Sequence, residues 1–134
     1  MNEVVLDASV VLKWFAGEGE AGSAQARTVR AQYEAGSLFV VVPSLMFLEM
    51  VNVAGRRWLW EEPQLLELAG ALDDLGFDIA EPKLRSVAAW TARGLSAYDS
   101  AYVALAEERG LELLTDDEKV LEVASVLARP LVGT

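Results

Sequence analysis

Five acidic residues stand where apolar runs of the sequence end or are interrupted. Asp7 ends the run VVLD, and Asp116 and Asp117 follow the run LELL. Glu49 lies inside SLMFLEMVNV and Asp99 inside SAYDSAYVALA, each with apolar neighbours. An ionised carboxylate in apolar surroundings costs several kcal/mol unless it is paired or binds a cation. These residues are therefore candidates for a functional site.

The 134 residues include no histidine and no cysteine. This composition excludes thiolate metal sites, disulfides and every catalytic arrangement that needs an imidazole. Carboxylates remain for acid-base or metal chemistry, and oxygen ligands suit Mg²⁺ or Mn²⁺. The net charge of -10 argues against nonspecific binding of nucleic acid, unless bound divalent cations neutralise part of the acidic set. With such an ion, carboxylates can activate water for attack on phosphorus, so the pattern favours phosphodiester hydrolysis.

Two of the acids also have structural interpretations. Ser96 and Asp99 have the S-x-x-D spacing of a capping box, and Thr115 and Glu118 have the T-x-x-E spacing. The second motif would make Asp117 an acid of the first helical turn, which the helix dipole favours. The sequence leaves these interpretations open beside the functional one.

Short apolar runs alternate with longer segments of helical periodicity along the whole chain. The runs predict four strands buried on both faces and a weaker fifth strand at a sheet edge, because Pro130 lacks a backbone donor. Strands are predicted over 4–6, 38–42, 77–80, 111–114 and 126–132. Helices are predicted over 9–16, 20–35, 44–60, 63–75, 82–93, 97–109 and 118–125. The alternation predicts one three-layer α/β domain over residues 1–134.

Sites in open α/β sheets form beyond the carboxyl ends of the strands. The five acids follow predicted strands directly or lie early in the helices, so we expect them at one edge of the sheet. No apolar stretch reaches the length of a membrane span, which leads us to expect no membrane association and a cytoplasmic location.

Four stretches resemble the PIN-domain ribonucleases, and in particular the VapC-like toxins of type II toxin-antitoxin pairs. They are VVLDASVVLKWF, LEMVNV, LSAYDSAYVALAEERG and LLTDDEKV, in family order over nearly the whole chain. The resemblance implies a parallel sheet of strand order 3-2-1-4-5. It also implies a Mg²⁺- or Mn²⁺-dependent endoribonuclease that cuts single-stranded or structured RNA by metal-activated water.

Residue by residue, the resemblance implies that Asp7, Glu49, Asp99 and Asp117 form the catalytic, metal-binding acids of the family. We call these four residues the acidic quartet. Asp116 is an additional metal-binding candidate beside Asp117.

Three further residues match family positions that orient water or carboxylates around the ion: Ser9, Asn52 and Thr115. The sequence equally allows Asn52 to be a buried, hydrogen-bonded amide. Basic residues could contact phosphate, but we interpret them as solvent-exposed surface charges: Lys13, Arg56, Arg57, Arg93 and Lys119.

The resemblance further implies homodimers and a VapB-like antitoxin whose tail enters the active-site groove. Three alternatives compete with a nuclease. A receiver domain needs paired acids after its first strand, a haloacid-dehalogenase-like phosphatase needs an Asp where Ser9 stands, and a catalytically silent PIN-like module would only bind.

Overall fold

The computed structural model describes residues 2–16 and 22–131. Its five-stranded sheet has the order β3-β2-β1-β4-β5, and every neighbouring pair is parallel. The strands are Asn2–Leu6 (β1), Leu38–Val42 (β2), Asp78–Ile79 (β3), Glu112–Leu114 (β4) and Ala128–Arg129 (β5). The helices are Ala8–Leu12 (α1), Ser23–Glu34 (α2), Leu45–Arg56 (α3), Glu62–Asp74 (α4), Leu84–Thr91 (α5), Ala97–Arg109 (α6) and Glu118–Val123 (α7).

Helices cover both faces of the sheet, which confirms the predicted three-layer fold and its strand order. Strand β1 is central, with β2 and β4 paired on either side of it. A receiver domain has the strand order 2-1-3-4-5. The observed order therefore excludes that alternative.

The central strands are buried because both of their faces lie under helices. Val5, Leu6, Val41 and Leu113 have no exposed surface. Helix α6 packs against both β1 and β4, and its residues 100–106 are all buried. Its bounds are those predicted, and it ends at Gly110, whose φ of 65° suits a residue without a side chain. These buried central elements determine which edge of the sheet carries the acidic residues.

The prediction for β3 was wrong in length and burial. The predicted strand 77–80 is reduced to Asp78 and Ile79, and both residues are exposed at the edge of the sheet. The predicted fifth strand does lie at the opposite edge, beside β4, with Pro130 directly after it. Residue 132 of that predicted strand, and residues 20 and 21 of the predicted helix 20–35, lie outside the described residues.

The predicted helix 44–60 is also too long, because α3 ends at Arg56. The chain then turns at Leu59, whose φ is 60°, and brings the rings of Trp58 and Trp60 to 5.1 Å from each other. Both rings pack against the core. The core-facing part of the sequence therefore continues beyond the end of α3. Within the described residues, no helix combines the length and the apolar character needed to cross a membrane.

Candidate active site

Asp7 lies at the centre of the candidate site, between β1 and α1. Its backbone N–H donates to the carbonyl of Leu114 at 3.0 Å, which extends the pairing of β1 with β4 by one residue. The residue is only 7% exposed. Thr115 Oγ1 donates to Asp7 Oδ2 at 2.6 Å and Ser9 Oγ donates to the same oxygen at 3.1 Å. The two hydroxyls thus fix the orientation of this carboxylate.

Asp117 follows β4 and begins α7. Its backbone N–H donates to Thr115 Oγ1 at 3.0 Å, and its Oδ1 accepts from the N–H of Val120 at 3.0 Å. Asp117 is therefore the N-cap of α7, and the predicted T-x-x-E capping box of Thr115 and Glu118 was wrong. The Thr115 hydroxyl is used instead to connect Asp7 with the backbone of Asp117.

Asp99 lies in the first turn of α6 and is half-buried. Its N–H donates to Ser96 Oγ at 3.0 Å, which confirms Ser96 as the N-cap. The capping role does not remove Asp99 from the site, because its charge acts on Asp7 and Glu49.

Glu49 lies in the second turn of α3 and is half-buried. Tyr102 Oη donates to Glu49 Oε1 at 2.5 Å, and Tyr102 is 1% exposed. Burial and the charge of Glu49 raise the pKa of the Tyr102 hydroxyl far above its ordinary value. Sequence reasoning missed Tyr102, although a buried phenol needs a hydrogen-bond partner and this one stands three residues after Asp99.

The acidic quartet shares one electrostatic environment. Burial is the largest cause that raises the pKa values of Asp7, Glu49 and Asp99. Like charges raise them further, since Asp99 and Asp117 act on Asp7, and Asp117 acts on Asp99. Hydroxyl hydrogen bonds oppose these shifts. No ion pair found among the described residues includes a member of the quartet.

Asp116 has different surroundings from Asp117. Lys13 Nζ lies 2.6 Å from Asp116 Oδ2, and the two side chains are 9% and 20% exposed. The N–H of Leu131 donates to Asp116 Oδ1 at 3.3 Å, so both oxygens of this carboxylate have partners. The interpretation of Lys13 as a solvent-exposed charge was therefore wrong.

Replacing Lys13 by Met should destabilise the protein by about 2–3 kcal/mol, because Asp116 keeps its charge in a largely buried position without a cation. Urea unfolding would measure this free energy. The matched control is Glu34→Gln, which breaks the more exposed Arg30–Glu34 pair at 3.8 Å and should cost less than about 0.5 kcal/mol. Equal losses in the two variants would contradict a structural role for the Lys13–Asp116 pair.

Asn52 and Lys119 are both exposed, and of these two described side chains only Lys119 interacts with a member of the quartet. Asn52 is exposed on α3, so the alternative of a buried amide was wrong. Lys119 is exposed, and its charge lowers the pKa of Asp99 against the stronger effects of burial and Asp117. It is thus a basic side chain within electrostatic reach of the quartet.

A cavity of about 700 Å³ lies elsewhere, along the first half of β2, where Trp14, Tyr33 and Phe39 are among its lining residues. None of the quartet lines it, so cavity size does not mark the acidic site. Within residues 2–16 and 22–131, no three acidic side chains meet as a ready-made metal site. Carboxylates of like charge repel one another, so we expect them to stay apart when no cation is bound.

The fold and the site together define a class of protein. It is a three-layer α/β domain with acids beyond the carboxyl ends of its central parallel strands. The chain belongs to the PIN domain family, since the profile of that family, described as "PIN domain", matches residues 4–126. PIN domains are typically nucleases.

Solved structures that are similar to this chain include the following two. The crystal structure of PAE2754 from Pyrobaculum aerophilum superposes with a TM-score of 0.67 at 23% identity, over 98% of this chain and 92% of the other. The structure of FitAB bound to an IR36 DNA fragment gives a TM-score of 0.67 at 14% identity, over 100% of this chain and 97% of the other. At these identities the likeness shows the fold alone. A comparison with curated protein sequences gives no significant match.

Proposed function

We propose that this protein is a Mg²⁺- or Mn²⁺-dependent endoribonuclease and the toxin of a toxin-antitoxin pair. One observation carries the proposal: separate segments bring the acidic quartet into one electrostatic environment, in which burial and then like charges raise the pKa values of Asp7, Glu49 and Asp99. Membership of the PIN domain family supports a nuclease.

The donor set fits a hard divalent cation. All four side chains offer carboxylate oxygens, and the hydrogen bonds of Ser9 and Thr115 go to Oδ2 of Asp7. The quartet would hold the ion, which would relieve the repulsion among the carboxylates. When bound, Mg²⁺ or Mn²⁺ supplies a lower pKa for a water molecule and neutralises charge on phosphate oxygens.

The residues around the quartet have separate tasks in this proposal. Ser9 and Thr115 hold the carboxylate of Asp7, and the Lys13–Asp116 pair anchors the loop that carries Asp117. Lys119 provides an exposed positive charge for a phosphate beside the acids.

RNA is the proposed substrate class. Single-stranded RNA is recognised largely by stacking of unpaired bases on aromatic side chains. Tyr98 precedes Asp99 in the chain and is 66% exposed, so its ring is available to a base near the acids.

Purified protein should cleave a labelled RNA in Mn²⁺, and EDTA should stop the reaction. The substrate would carry a single-stranded segment and a hairpin, to locate the cuts. Because the proposed nucleophile is water and not a ribose 2′-hydroxyl, the products should carry 5′-phosphate and 3′-hydroxyl ends. End analysis with a 5′-phosphate-dependent exonuclease would measure this.

Cyclic 2′,3′-phosphate ends, or cleavage that persists in EDTA, would contradict the mechanism. RNA binding in Mn²⁺ without any cleavage would instead support the silent binding module.

The proposal includes a homodimer and a VapB-like antitoxin. FitAB, one of the similar structures, is bound to a DNA fragment. In this chain Leu48 and Tyr98 are 76% and 66% exposed beside Glu49 and Asp99, so an antitoxin segment that covers the acids would also bury apolar surface. Sedimentation of the protein alone, and with the product of a neighbouring small reading frame, tests both partners.

A further inference from the structure

We infer that Tyr102 is a positioning residue, which holds Glu49 in the orientation that an ion in the acidic quartet requires. The inference rests on the proposed function and adds a residue to it. It predicts that the Tyr102 hydroxyl contributes to the affinity of the protein for Mn²⁺ and not only to folding.

Two helices meet through this hydroxyl. Tyr102 lies on α6, three residues and therefore about one turn after Asp99, while Glu49 lies on α3. The 2.5 Å hydrogen bond connects residues 53 positions apart in the chain. The hydrogen bond therefore couples the orientation of Glu49 to helix α6, which carries Asp99.

The hydroxyl acts on one side of the carboxylate. Tyr102 Oη donates to Glu49 Oε1, and this hydrogen bond limits rotation of the carboxylate. Hydrogen bonds of this kind to ligating groups are worth about 10–100-fold in metal affinity.

Packing alone does not explain a tyrosine here. Tyr102 stands within the buried face of α6, between Ala101 and Val103, and is 1% exposed. A phenylalanine would fill the same space without bringing a polar atom into the core. The hydroxyl is hydrogen-bonded to a member of the quartet, which gives it a role that a phenyl ring lacks.

The test compares the affinities of wild type and Tyr102→Phe for Mn²⁺ alone, measured by isothermal titration calorimetry without RNA. We expect the dissociation constant to rise about 10-fold in Tyr102→Phe. The matched control is Tyr33→Phe, because Tyr33 Oη also donates at 2.5 Å, but to the carbonyl of Leu75 away from the acids. The control should bind Mn²⁺ as wild type does.

Circular dichroism and thermal unfolding in EDTA would show that both Phe variants fold. A double variant then tests whether Tyr102 affects metal binding through Glu49. If Tyr102 acts through Glu49, adding Tyr102→Phe to Glu49→Ala, which lacks the acceptor oxygen, should change the dissociation constant less than 2-fold. A full 10-fold effect in that background would show that Tyr102 acts otherwise and would overturn the inference.

The failures of the two proposals are distinguishable. Wild type that binds no Mn²⁺ would overturn the metal-dependent function and the role of Tyr102 with it. Wild type that binds Mn²⁺ while folded Tyr102→Phe binds it equally well would overturn only the role of Tyr102.

Discussion

Asp99→Asn should reduce Mn²⁺-dependent cleavage of RNA by about 10³-fold or more, because the proposed metal site would lose one of its charged ligands. Without metal, the free energy of unfolding of Asp99→Asn should nevertheless be at most about 1 kcal/mol below that of wild type, or above it. The backbone N–H at position 99 can still donate to Ser96 Oγ, and the repulsion from Asp117 disappears, which offsets the lost interaction with the helix dipole. Cleavage rates and urea unfolding in EDTA measure the two effects.

The matched control for Asp99→Asn is Glu62→Gln. Glu62 is also an acid in the first turn of a helix, but it is exposed on α4. This control should lose the same interaction with a helix dipole and keep full activity. If Asp99→Asn retained activity, Asp99 would have no role in cleavage. If the substitution unfolded the protein, the role of Asp99 would be structural.

The metal-free protein should become less stable as the pH rises above the ordinary pKa values of its buried carboxylates, and Mn²⁺ should reverse the loss. Asp7, Glu49 and Asp99 have folded-state pKa values above their ordinary values of 3.8 for Asp and 4.5 for Glu. Between the ordinary and the raised values, the folded state binds more protons than the unfolded state. The free energy of unfolding therefore falls as the pH rises through the raised values, and it changes little above them.

Glu81 changes the pH dependence of stability in the opposite sense. Glu81 accepts hydrogen bonds from the N–H and the hydroxyl of Ser44, and these bonds lower its pKa. Its contribution to stability is present above its ordinary pKa and is lost as the pH falls through the lowered value. Glu81 is exposed, so the three acids of the quartet should dominate.

Mn²⁺ at 100 times its dissociation constant should add about 2.7 kcal/mol to the free energy of unfolding. At a fixed Mn²⁺ concentration, the gain should be larger at pH 7.5 than at pH 5, where protons compete for the carboxylates. Chemical unfolding across this pH range, with Mn²⁺ and with EDTA, measures both effects. Stability in EDTA that increased steadily as the pH rose above the ordinary pKa values of the carboxylates would contradict the environment described for the quartet.

The sequence predicted the central part of the fold better than its edges. Strand β2 and helix α6 have the predicted bounds, because an apolar run marks the strand and capping residues mark the ends of the helix. The two-residue β3 and the end of α3 at Arg56 were missed, because apolar residues continue past both elements. A run of apolar side chains indicates burial, but it does not tell whether the backbone that carries them is regular.

The site shows a similar division. The acids were found because a carboxylate within apolar sequence is conspicuous by itself. The Lys13–Asp116 and Tyr102–Glu49 pairs were missed, because their members stand 103 and 53 positions apart and each has an ordinary local pattern. Sequence reasoning identifies groups that need partners, whereas only the folded chain shows which partners they have.

The hydrogen bond between Thr115 and Asp7 joins residues 108 positions apart. Strand β4 must therefore dock beside β1 before the pocket exists, and such long-range pairing comes late because the intervening chain must first be ordered. During synthesis, an emerging chain that ends before residue 115 lacks both Thr115 and Asp117. For the ribonuclease proposed above, this topology delays activity until the segment that carries Thr115 and Asp117 has left the ribosome.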